Sequence, residues 1–499
     1  MTTNTIINEL FNYLLHQQEI NTEDIYLVGG FLRDIMLAYE TRDVDFAVNA
    51  REYQVAQLAK SIARRFHGSP FLMDEDNTVW RIVLADDYRI DIARLRGDSI
   101  LSDLSERDFT VNAMAINVRH VVPSVNQMDM IDPFRGKNAI KRRVLVPVSK
   151  EIFRSDPVRI LRAYRLAAQY DFRIPLRLRL LVRRRASELK RTSGERVWEE
   201  LSKILMNQRS WSWLSRMEKD GVLSQIMPEV ENMKKARDFY FHPSLWHHSI
   251  ESLEAFEEIL ANPEVYFGDL AQKITEHFLA PVSGMVPKLV YDKLAVLLHD
   301  IGKPDTVTIK NGRVRFFGHE GEGIRKIAGI AERLKISRAG RHIMKTVVAA
   351  HMRPGTLTET SEVTDRAIWR LFRDLKDETL DVLVASIADR LSYKRFGRDL
   401  TGIERHNKTV RYILERYYSI AERIKPLRLV NGNDIMETLS LSTGPKIGEL
   451  LEKVVEAQAD GIIDTKEQAI EYLKKIYHPD TPEERLLRII FGKNKQLNT

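Results

Sequence analysis

Two aspartates one residue apart occur in the stretch "DVDFAV". In a strand, Asp43 and Asp45 would project from the same face, because alternate residues point the same way. Neighbouring carboxylates repel each other unless a cation lies between them, and hard oxygen ligands favour Mg²⁺. Asp91, on a later strand-like segment, would complete a two-metal site that activates a hydroxyl and stabilises a leaving pyrophosphate. The alternative for an isolated Asp-x-Asp is a solvated strand end.

The stretch just before these aspartates has the composition of a phosphate site. Gly29 and Gly30 follow the apolar run "IYLV" and would let the backbone approach a phosphate closely. A helix beginning there would add free N–H groups and its dipole, and Arg33 would add a charge-assisted donor. The glycines and the carboxylates together predict a site for a metal-bound triphosphate.

The elements that must position these residues are predicted to form an α+β head. Helical patterns occupy about 1–20 and the stretch near Tyr53–Phe66. Strand-like segments predict a small mixed sheet; they are "IYLVG", "VDFAV", "RIVLA", "YRIDIAR" and "AMAINV". Beyond about residue 137 amphipathic helical patterns dominate, so the rest of the chain is predicted to be all-α.

Length and composition exclude several classes of protein and of metal site. A chain of 499 residues predicts three or four domains, and the absence of cysteine excludes disulfides and thiolate metal sites and suits a reducing cytosol. The first 20 residues lack the pattern of a signal peptide, and no apolar run is long enough to span a bilayer. We therefore expect a cytoplasmic protein without a membrane partner. The sequence does not determine its oligomeric state.

Four stretches of the sequence resemble those of a known family. The stretch "LVGGFLRD…DVDFAV" resembles the first motif of class II tRNA nucleotidyltransferases and bacterial poly(A) polymerases, which have a polymerase β-like fold. "ERDFTVNAMA" resembles their Arg-Arg-Asp-Phe-Thr-x-Asn-Ala motif, and "RSDPVRILRAYRLAAQYDF" their neck-helix motif. "ERVWEELSKIL" looks like the helix that closes the neck. The resemblance covers about 1–230 and implies template-independent addition of nucleotides from CTP and ATP to a tRNA 3′ end, with Mg²⁺.

The resemblance also implies residue roles. Asp43 and Asp45 would hold the metal, and Asp156 with Arg159 would read the base edge, since a carboxylate beside a guanidinium can match cytosine. A cationic face recurring every three residues from Arg159 would meet the triphosphate, with a solvated basic face as the alternative. The nucleotide-binding set is Gly29, Gly30, Arg33, Arg107, Asp108, Asn112, Asp156, Arg159, Arg162 and Arg165.

Two residues, and the length of the segment before Glu106, differ from the family pattern. Glu106 stands where the second motif begins with Arg, and Ser155 stands where Glu precedes Asp156. Only "LRGDSILSDLS" separates "YRIDIAR" from Glu106. CCA-adding members carry a longer flexible loop there, which switches the pocket from C to A, and CC-adding members lack it. The short segment favours a CC-adding enzyme that works with an A-adding partner, over a CCA-adding enzyme that uses other elements.

The middle of the chain carries a second group of candidate ligands, in the order His248, His299-Asp300, His319, His351 and Asp389. Neutral imidazoles with carboxylates suit a divalent transition metal or Mg²⁺, of undetermined identity. Their order resembles the HD metal-dependent phosphohydrolases, which implies hydrolysis of phosphate esters or cyclic phosphates, for example at damaged tRNA 3′ ends. A degenerate, structural HD domain is the alternative. The ligands are predicted to be His248, His299, Asp300, His319, His351 and Asp389, with His242, His247 and His342 in the core or at the surface.

Basic residues cluster beside the neck. Lys141–Arg143 and Arg173–Arg191 carry about ten cations with interleaved leucines, which predicts an amphipathic helix whose basic face attracts an RNA backbone. A solvated basic helix is the alternative. Near the end, Gly444-Pro445 opens a helix that could hold a phosphate, in a region resembling the tail of HD-bearing tRNA nucleotidyltransferases.

The predicted organisation has four parts: head 1–137, neck 138–230, HD domain 231–400 and tRNA-binding tail 401–499. Three other functions fit the sequence less well. They are a poly(A) polymerase with a nearly identical head, a phosphohydrolase whose head only senses nucleotides, and a catalytically silent RNA-binding protein.

Overall fold

The chain forms two compact units. One comprises Met1–Arg237, Ser244–Trp246 and Ala328–Arg338, and the other comprises Asp238–Pro243, His247–Ile327 and Ala339–Thr499. The finer division at residues 137, 230 and 400 stays a prediction. The structure, a computed structural model, describes residues 3–16, 24–74, 78–85, 88–121, 129–236, 242–284, 286–311, 313–359, 363–393, 400–423, 429–459 and 462–477.

The regular elements of the described residues are mostly helices. The strands are β1 (Ile25–Val28), β2 (Asp43–Val48), β3 (Ser69–Asp74), β4 (Val79–Val83), β5 (Arg89–Arg94), β6 (Ala115–Asn117), β7 (Pro281–Ser283), β8 (Val286–Pro287), β9 (Thr308–Lys310) and β10 (Arg313–Arg315). The helices of the first half are α1 (Thr3–Leu15), α2 (Gly30–Met36), α3 (Glu52–Arg65), α4 (Ile100–Ser105), α5 (Gly136–Lys141), α6 (Ile152–Ser155), α7 (Arg159–Tyr170), α8 (Leu176–Arg185), α9 (Gly194–Met206), α10 (Ser210–Lys219), α11 (Leu223–Ile226), α12 (Val230–Lys235) and α13 (Leu245–Ala261). Those of the second half are α14 (Pro263–Phe267), α15 (Ala271–Leu279), α16 (Lys288–Leu297), α17 (Lys303–Thr306), α18 (His319–Arg333), α19 (Arg338–Ala350), α20 (Arg353–Thr358), α21 (Asp365–Leu375), α22 (Thr379–Leu391), α23 (Leu400–Arg423), α24 (Gly432–Leu439), α25 (Pro445–Ala459) and α26 (Lys466–Ile476).

The head contains a six-stranded mixed sheet in the order β3-β4-β5-β2-β1-β6. Only β2 and β5 are parallel, and the other neighbours are antiparallel. The predicted α+β class is confirmed. The edge strand β3 was not predicted, because it contains Pro70 and its side chains are mostly exposed, so no apolar alternation marks it.

The helices beside the sheet follow their apolar spacing. On α3, Val55, Leu58 and Ile62 are buried, at the intervals of one helix face, and α3 packs on β3, β4 and β5. On α1, Leu10 and Leu14 are buried. The helix predicted over about 1–20 ends at Leu15, and residues 17–20 lie outside the described ranges.

Carboxylates of the same unit pair with several arginines of the basic helix α8. Asp220 is buried and accepts hydrogen bonds from Arg179 (2.9 and 2.8 Å), Arg183 (2.8 Å) and the hydroxyl of Tyr164 (2.9 Å). The carboxylate of Glu188 binds two more arginines of the same segment, Arg185 (2.8 Å) and Arg191 (2.6 Å). The basic surface available to RNA is therefore smaller than the number of cations in the sequence indicates.

Replacing Asp220 with asparagine is expected to destabilise this unit. Losing one partner of a buried ion pair costs about 3–5 kcal/mol, but Arg179 and Arg183 are 28% and 44% exposed and can turn toward water, so we expect about 2 kcal/mol. The thermal midpoint should fall by about 4–8 °C. The control is Asp171→Asn, at an exposed, left-handed position (φ 54°) that asparagine tolerates. Equal midpoints for the two variants would contradict the structural role of Asp220.

The last helices of the second unit pack on a core of their own. Helices α24, α25 and α26 contact one another pairwise, and Ile435, Leu450 and Leu473 are among the buried residues between them. Pro445 begins α25, as the Gly-Pro turn predicted. Among the described residues, no helix combines the length and the apolarity needed to cross a bilayer.

Candidate functional site

The register of the sheet brings the three predicted aspartates onto one face. The parallel pairing of β2 with β5 sets Asp45 opposite Asp91 and Asp43 opposite Arg89. Arg81, on β4, pairs with Asp91 and donates two hydrogen bonds to its carboxylate, at 2.8 and 2.7 Å. Sequence reasoning missed Arg81, because only the register of β4 brings it to Asp91.

Negative charge outweighs positive charge around the Asp45 carboxyl. Burial, repulsion by Asp91 and repulsion by Asp43 raise its pKa to about 6, although Arg107 and the Gly30 N–H act in the opposite direction. A cation bound between these carboxylates would remove the repulsion. The donors are all carboxylate oxygens, which suits a hard divalent ion.

Gly29 is required where the chain turns over Asp45. Its φ is 75°, and a Cβ atom there would lie 2.8 Å from Asp45 Oδ2 and 3.1 Å from Arg107 Nη1. The next N–H, of Gly30, donates to Asp45. We predicted that the start of α2 faces a phosphate. In the structure, its first N–H donates to the Asp45 carboxylate.

Arg33 is buried and bound within the head. Its guanidinium donates to Asp34 (2.8 Å), to Asn112 Oδ1 (2.6 Å) and to the Tyr170 hydroxyl (2.6 Å), and lies 4.1 Å from the centre of the Tyr170 ring. Its predicted contact with a triphosphate stays a prediction. In the structure it orients Asn112.

Asp108 holds Asn112 from the other side. It is buried and accepts hydrogen bonds from the Phe109 N–H (2.6 Å), Asn112 Nδ2 (3.0 Å) and Arg162 Nη1 (3.2 Å). Burial alone would raise its pKa, but Arg162 and the hydrogen bonds outweigh burial and hold the pKa below its ordinary value. Asp108 is therefore an ionised anchor.

The predicted cationic face of α7 is held by carboxylates. Glu200, on α9, is buried and lies 3.4 Å from Arg162 Nε and 3.1 Å from Arg165 Nε. Asp108 binds the other side of Arg162. Sequence reasoning missed Glu200, although it lies in the helix assigned to close the neck. The two carboxylates fix the direction of the arginines.

Asp156 and Arg159 are neighbours, with Arg159 Nε 3.9 Å from Asp156 Oδ2. Arg159 also donates to the carbonyl of Glu106 (2.9 Å), and Arg196 donates to Asp156 Oδ2 (2.7 Å). Arg196, missed from sequence, thus holds the carboxylate that Ser155 leaves without its usual acidic neighbour. The other oxygen, Oδ1, is buried without a hydrogen-bond partner among the described residues.

The short segment before Arg107 is a tethered helix. Helix α4 begins after Ser99, which accepts from the Ser102 N–H, and buries Ile100 and Leu104. Asp103 accepts hydrogen bonds from Arg107 Nε (2.9 Å) and the Arg96 N–H (3.2 Å). These contacts leave few residues for a swinging loop.

The second predicted ligand set also converges. His248 Nε2 lies 3.2 Å from His299 Nε2 and 3.1 Å from Asp389 Oδ1. Asp300 Oδ1 lies 3.6 Å from His319 Nε2 and 3.5 Å from His351 Nε2. All six predicted residues therefore meet in one cluster. Of the other histidines, His242 is buried against His248, and His247 and His342 are exposed.

The hydrogen bonds around this cluster determine the histidine tautomers. Ser392 donates to the carbonyl of Asp389 (2.7 Å), so its oxygen accepts from His248 Nδ1 (3.2 Å). A neutral imidazole that donates from Nδ1 has its lone pair on Nε2, directed at the centre. The other three histidines donate from Nδ1 to the carbonyl three residues earlier: His299 to Val296 (2.8 Å), His319 to Phe316 (2.9 Å) and His351 to Val348 (2.9 Å).

The cluster fits a divalent metal. Asp300 Oδ1, His319 Nε2 and His351 Nε2 are buried and have no hydrogen-bond partner within the described part of the chain. Burial lowers the pKa of His299, but Asp300 and Asp389 outweigh burial and raise it to about 10, so the cluster attracts positive charge. Lys303 binds Asp300 Oδ2 at 2.5 Å. Imidazole and carboxylate ligands together suit a transition metal or Mg²⁺.

Comparison with known proteins divides the chain among three family models. Residues 25–146 match a poly A polymerase head domain, residues 171–234 a probable RNA and SrmB-binding site of polymerase A, and residues 245–394 an HD domain. The first match contains the aspartates of β2 and β5, and the third contains all six members of the histidine cluster.

Curated relatives cover most of the chain. A CC-adding tRNA nucleotidyltransferase from Thermus thermophilus is 29% identical over 90% of this chain and 93% of its own length. An A-adding tRNA nucleotidyltransferase from Deinococcus radiodurans is 28% identical over 91% and 96%. A multifunctional CCA protein from Burkholderia vietnamiensis is 30% identical over 70% and 79%.

A solved structure shares the fold. The Thermotoga maritima CCA-adding enzyme complexed with tRNA-CCA matches with a TM-score of 0.58, at 23% identity, over 94% of this chain and 95% of that one. The chain therefore belongs to the class II tRNA nucleotidyltransferase and poly(A) polymerase family, with an HD domain match following the matches to the head domain and the RNA-binding site.

Proposed function

We propose that this protein adds cytidines to the 3′ end of tRNA, using CTP and no nucleic-acid template. The observation that carries the proposal is the row of Asp43, Asp45 and Asp91 on the same unit as the Asp156–Arg159 pair. The first group suits nucleotidyl transfer and the second suits selection of a base. The names of the relatives support the same activity.

In the reaction we propose, the tRNA 3′-hydroxyl attacks the α-phosphorus of CTP and pyrophosphate leaves. Asp43 and Asp45 would hold Mg²⁺, with Asp91 completing the set, and the metal would make the hydroxyl more acidic and neutralise the leaving group. Arg107, beside Gly29, would bind the phosphates. Asn112, fixed by Arg33 and Asp108, would bind the ribose without having to reorient.

Base selection is assigned to Asp156 and Arg159. The buried, unpartnered Oδ1 of Asp156 would accept a hydrogen bond from the cytosine amino group, and Arg159 would donate to the ring nitrogen and the carbonyl. Uracil has no amino group and would leave Oδ1 unpaired, which costs about 1–3 kcal/mol. Arg196 keeps the carboxylate in place for this contact.

Helix α4 favours CC addition over CCA addition. A pocket that changes from C to A needs a part that can move, and the segment before Arg107 is helical, partly buried and bound through Asp103. The Deinococcus relative raises A addition as another outcome, and poly(A) synthesis remains a further alternative.

Three tRNA transcripts distinguish these activities, ending at the discriminator base, at C and at CC. With labelled CTP we expect incorporation on the first two, and with ATP none on the third. The measurement is single-nucleotide gel resolution of the products. One A on the CC end would establish A or CCA addition instead, and long A tails would establish a poly(A) polymerase.

We also propose that the HD cluster hydrolyses phosphate esters or cyclic phosphates. Four histidine Nε2 atoms and two carboxylates in one cluster support a divalent metal there, which would take the place of the extra proton on His299. A metal bound by them would activate water and polarise a phosphate. The metal-dependent activity should be sought on 2′,3′-cyclic nucleotides and on tRNA ending in a cyclic phosphate.

The organisation of the chain follows as part of the proposal. We assign nucleotide addition to 1–137, base selection and RNA contact to 138–230, hydrolysis to 231–400 and tRNA contact to 401–499. Because tRNA is the proposed substrate, we assign the protein to the cytoplasm.

A further inference from the structure

The sheet extends the catalytic face two strands beyond Asp91. Asp45, Asp91, Arg81 and Phe71 pair directly with one another across β2, β5, β4 and β3, so their side chains leave the same face. The hydrogen bonds between Arg81 and Asp91 agree with this arrangement. The adjacent same-face row consists of Asp43, Arg89, Val83 and Ser69.

This extension combines two partly exposed guanidinium groups with an exposed aromatic ring. Arg89 is 36% exposed and only loosely paired, 3.8 Å from Asp43. Arg81 is 29% exposed and binds Asp91 through Nε and Nη2, which leaves Nη1 for a ligand. Phe71 is 45% exposed on an edge strand, where an apolar side chain normally invites aggregation. A cationic pair beside an exposed ring suits a nucleic-acid strand.

The geometry of the reaction determines which nucleic-acid strand would lie over this extension of the sheet. Gly29 follows β1 and lies beside Arg107, and Arg159 donates to the carbonyl of Glu106, the residue before Arg107. The proposed nucleoside triphosphate would therefore occupy the β1 side of the carboxylates. In-line displacement puts the attacking hydroxyl opposite the leaving pyrophosphate. The tRNA 3′ end must then arrive over β5, β4 and β3.

The spacing of the strands fits this path. Neighbouring strands lie about 4.8 Å apart, so Phe71 on β3 is about 10 Å from Asp91 on β5. Stacked nucleotides rise about 3.4 Å each. A 3′-hydroxyl at Asp91 therefore brings one of the last two or three bases of the tRNA to the Phe71 ring.

We propose that Arg81, Arg89 and Phe71 form a primer track, which binds the last nucleotides of the tRNA 3′ end. The ring of Phe71 stacks on a base, and the two guanidinium groups bind phosphates. This inference rests on the proposed nucleotide addition and assigns the binding site of its second substrate. Because stacking accepts any base, the track can hold the growing end after each addition.

The test uses Phe71→Ala, with Leu72→Ala as the matched control. Leu72 is the next residue on the same strand, is similarly exposed (40%) and pairs with Trp80, so it faces the other side of the sheet. Base–aromatic stacking is worth about 1–3 kcal/mol, so Phe71→Ala should raise the KM for tRNA about ten-fold and leave the KM for CTP unchanged. Leu72→Ala should change neither, and Phe71→Trp should restore the tRNA KM.

Binding gives a second measurement that does not require catalysis. Three tRNA minihelices carry 2-aminopurine at the last, second-last or third-last base. At least one of them should lose fluorescence on binding the wild type and Leu72→Ala, and keep it with Phe71→Ala. Arg89→Gln should lower the slope of log affinity against log salt by about one, as loss of one phosphate contact does.

The outcomes separate this inference from the proposed function. A wild type that adds no nucleotide to tRNA overturns the proposed function. An active wild type whose tRNA KM and 2-aminopurine signal are unchanged by Phe71→Ala overturns the track alone. Equal rises in the KM for tRNA and for CTP, or a thermal midpoint lowered in Phe71→Ala with no rescue by Phe71→Trp, show a structural role and also overturn it.

Discussion

Asp45→Asn is expected to abolish nucleotide addition while stabilising the metal-free protein. The carboxylate is lost from the centre of the proposed metal site, so CTP incorporation into tRNA should fall at least about a thousand-fold. The fold should survive, because asparagine has the same shape. In the wild type this carboxylate is partly buried and repelled by Asp91 and Asp43, and asparagine removes the repulsion.

The pH dependence of stability follows from the raised pKa. The unfolded chain has an Asp45 pKa near 3.8 and the folded chain one of about 6, so ionising this group opposes folding. The penalty is absent below about pH 3.8, grows between the two values and is complete above about pH 6. Without metal it amounts to on the order of 2–3 kcal/mol. Asp45→Asn in EDTA at pH 7.5 should therefore melt at a higher temperature than the wild type.

Asp171→Asn is the control, since it removes an exposed carboxyl in the same unit. It should keep both activity and melting temperature. Two results would contradict the assignment: an active Asp45→Asn variant, or a variant that is inactive because it unfolds. Added Mg²⁺ should raise the melting temperature of the wild type more than that of the asparagine variant, because the histidine cluster is the same in both.

Asp300→Asn is expected to empty the second metal site without impairing nucleotide addition. Asp300 lies 3.3–3.6 Å from the Nε2 atoms of His248, His299, His319 and His351, so it is the shared ligand of the cluster. Loss of its charge should weaken metal binding at least about a hundred-fold, since even outer partners of metal ligands contribute 10–100-fold. Metal analysis of the purified protein and hydrolysis of 2′,3′-cyclic nucleotides measure the effect.

The matched control is His342→Ala, which removes an exposed histidine of the same unit that is paired only loosely with Glu378, at 3.5 Å. It should retain metal and activity. Full metal content in Asp300→Asn would show that the cluster is not the metal site. Unchanged hydrolysis in a metal-free variant would assign the activity elsewhere.

The site residues and elements that could be predicted from the sequence are those whose signal lies in a few neighbouring residues. Asp43 and Asp45 were readable because strand periodicity places them on one face, and α3 because its apolar positions recur at helical spacing. The histidine cluster was readable from residue type and order. In each case a few neighbouring residues carry the signal.

The residues that hold these side chains in place could not be predicted from the sequence. Arg196 lies 40 positions from Asp156, and Ser392 lies 144 positions from His248. Arg33 shows the same limit: its type predicted a donor to a phosphate, but its contact with Tyr170, 137 positions away, left no signal in the sequence. Such contacts depend on tertiary packing and leave no local pattern. Edge strand β3 was missed for a different reason, since its outward side chains give no periodicity.

Helix α4 has a consequence for how specificity can diverge among related enzymes. Its far end is fixed by Asp103 and Arg107, whereas Gly97, just before it, has a φ of 74° and lies in an exposed turn. Extra residues inserted at Gly97 would lengthen the chain there and leave the sheet, the carboxylates and the phosphate-binding residues where they are. A lineage can thus gain or lose a moving element by insertion or deletion at one surface turn. The remaining head would need no second mutation to accommodate the change.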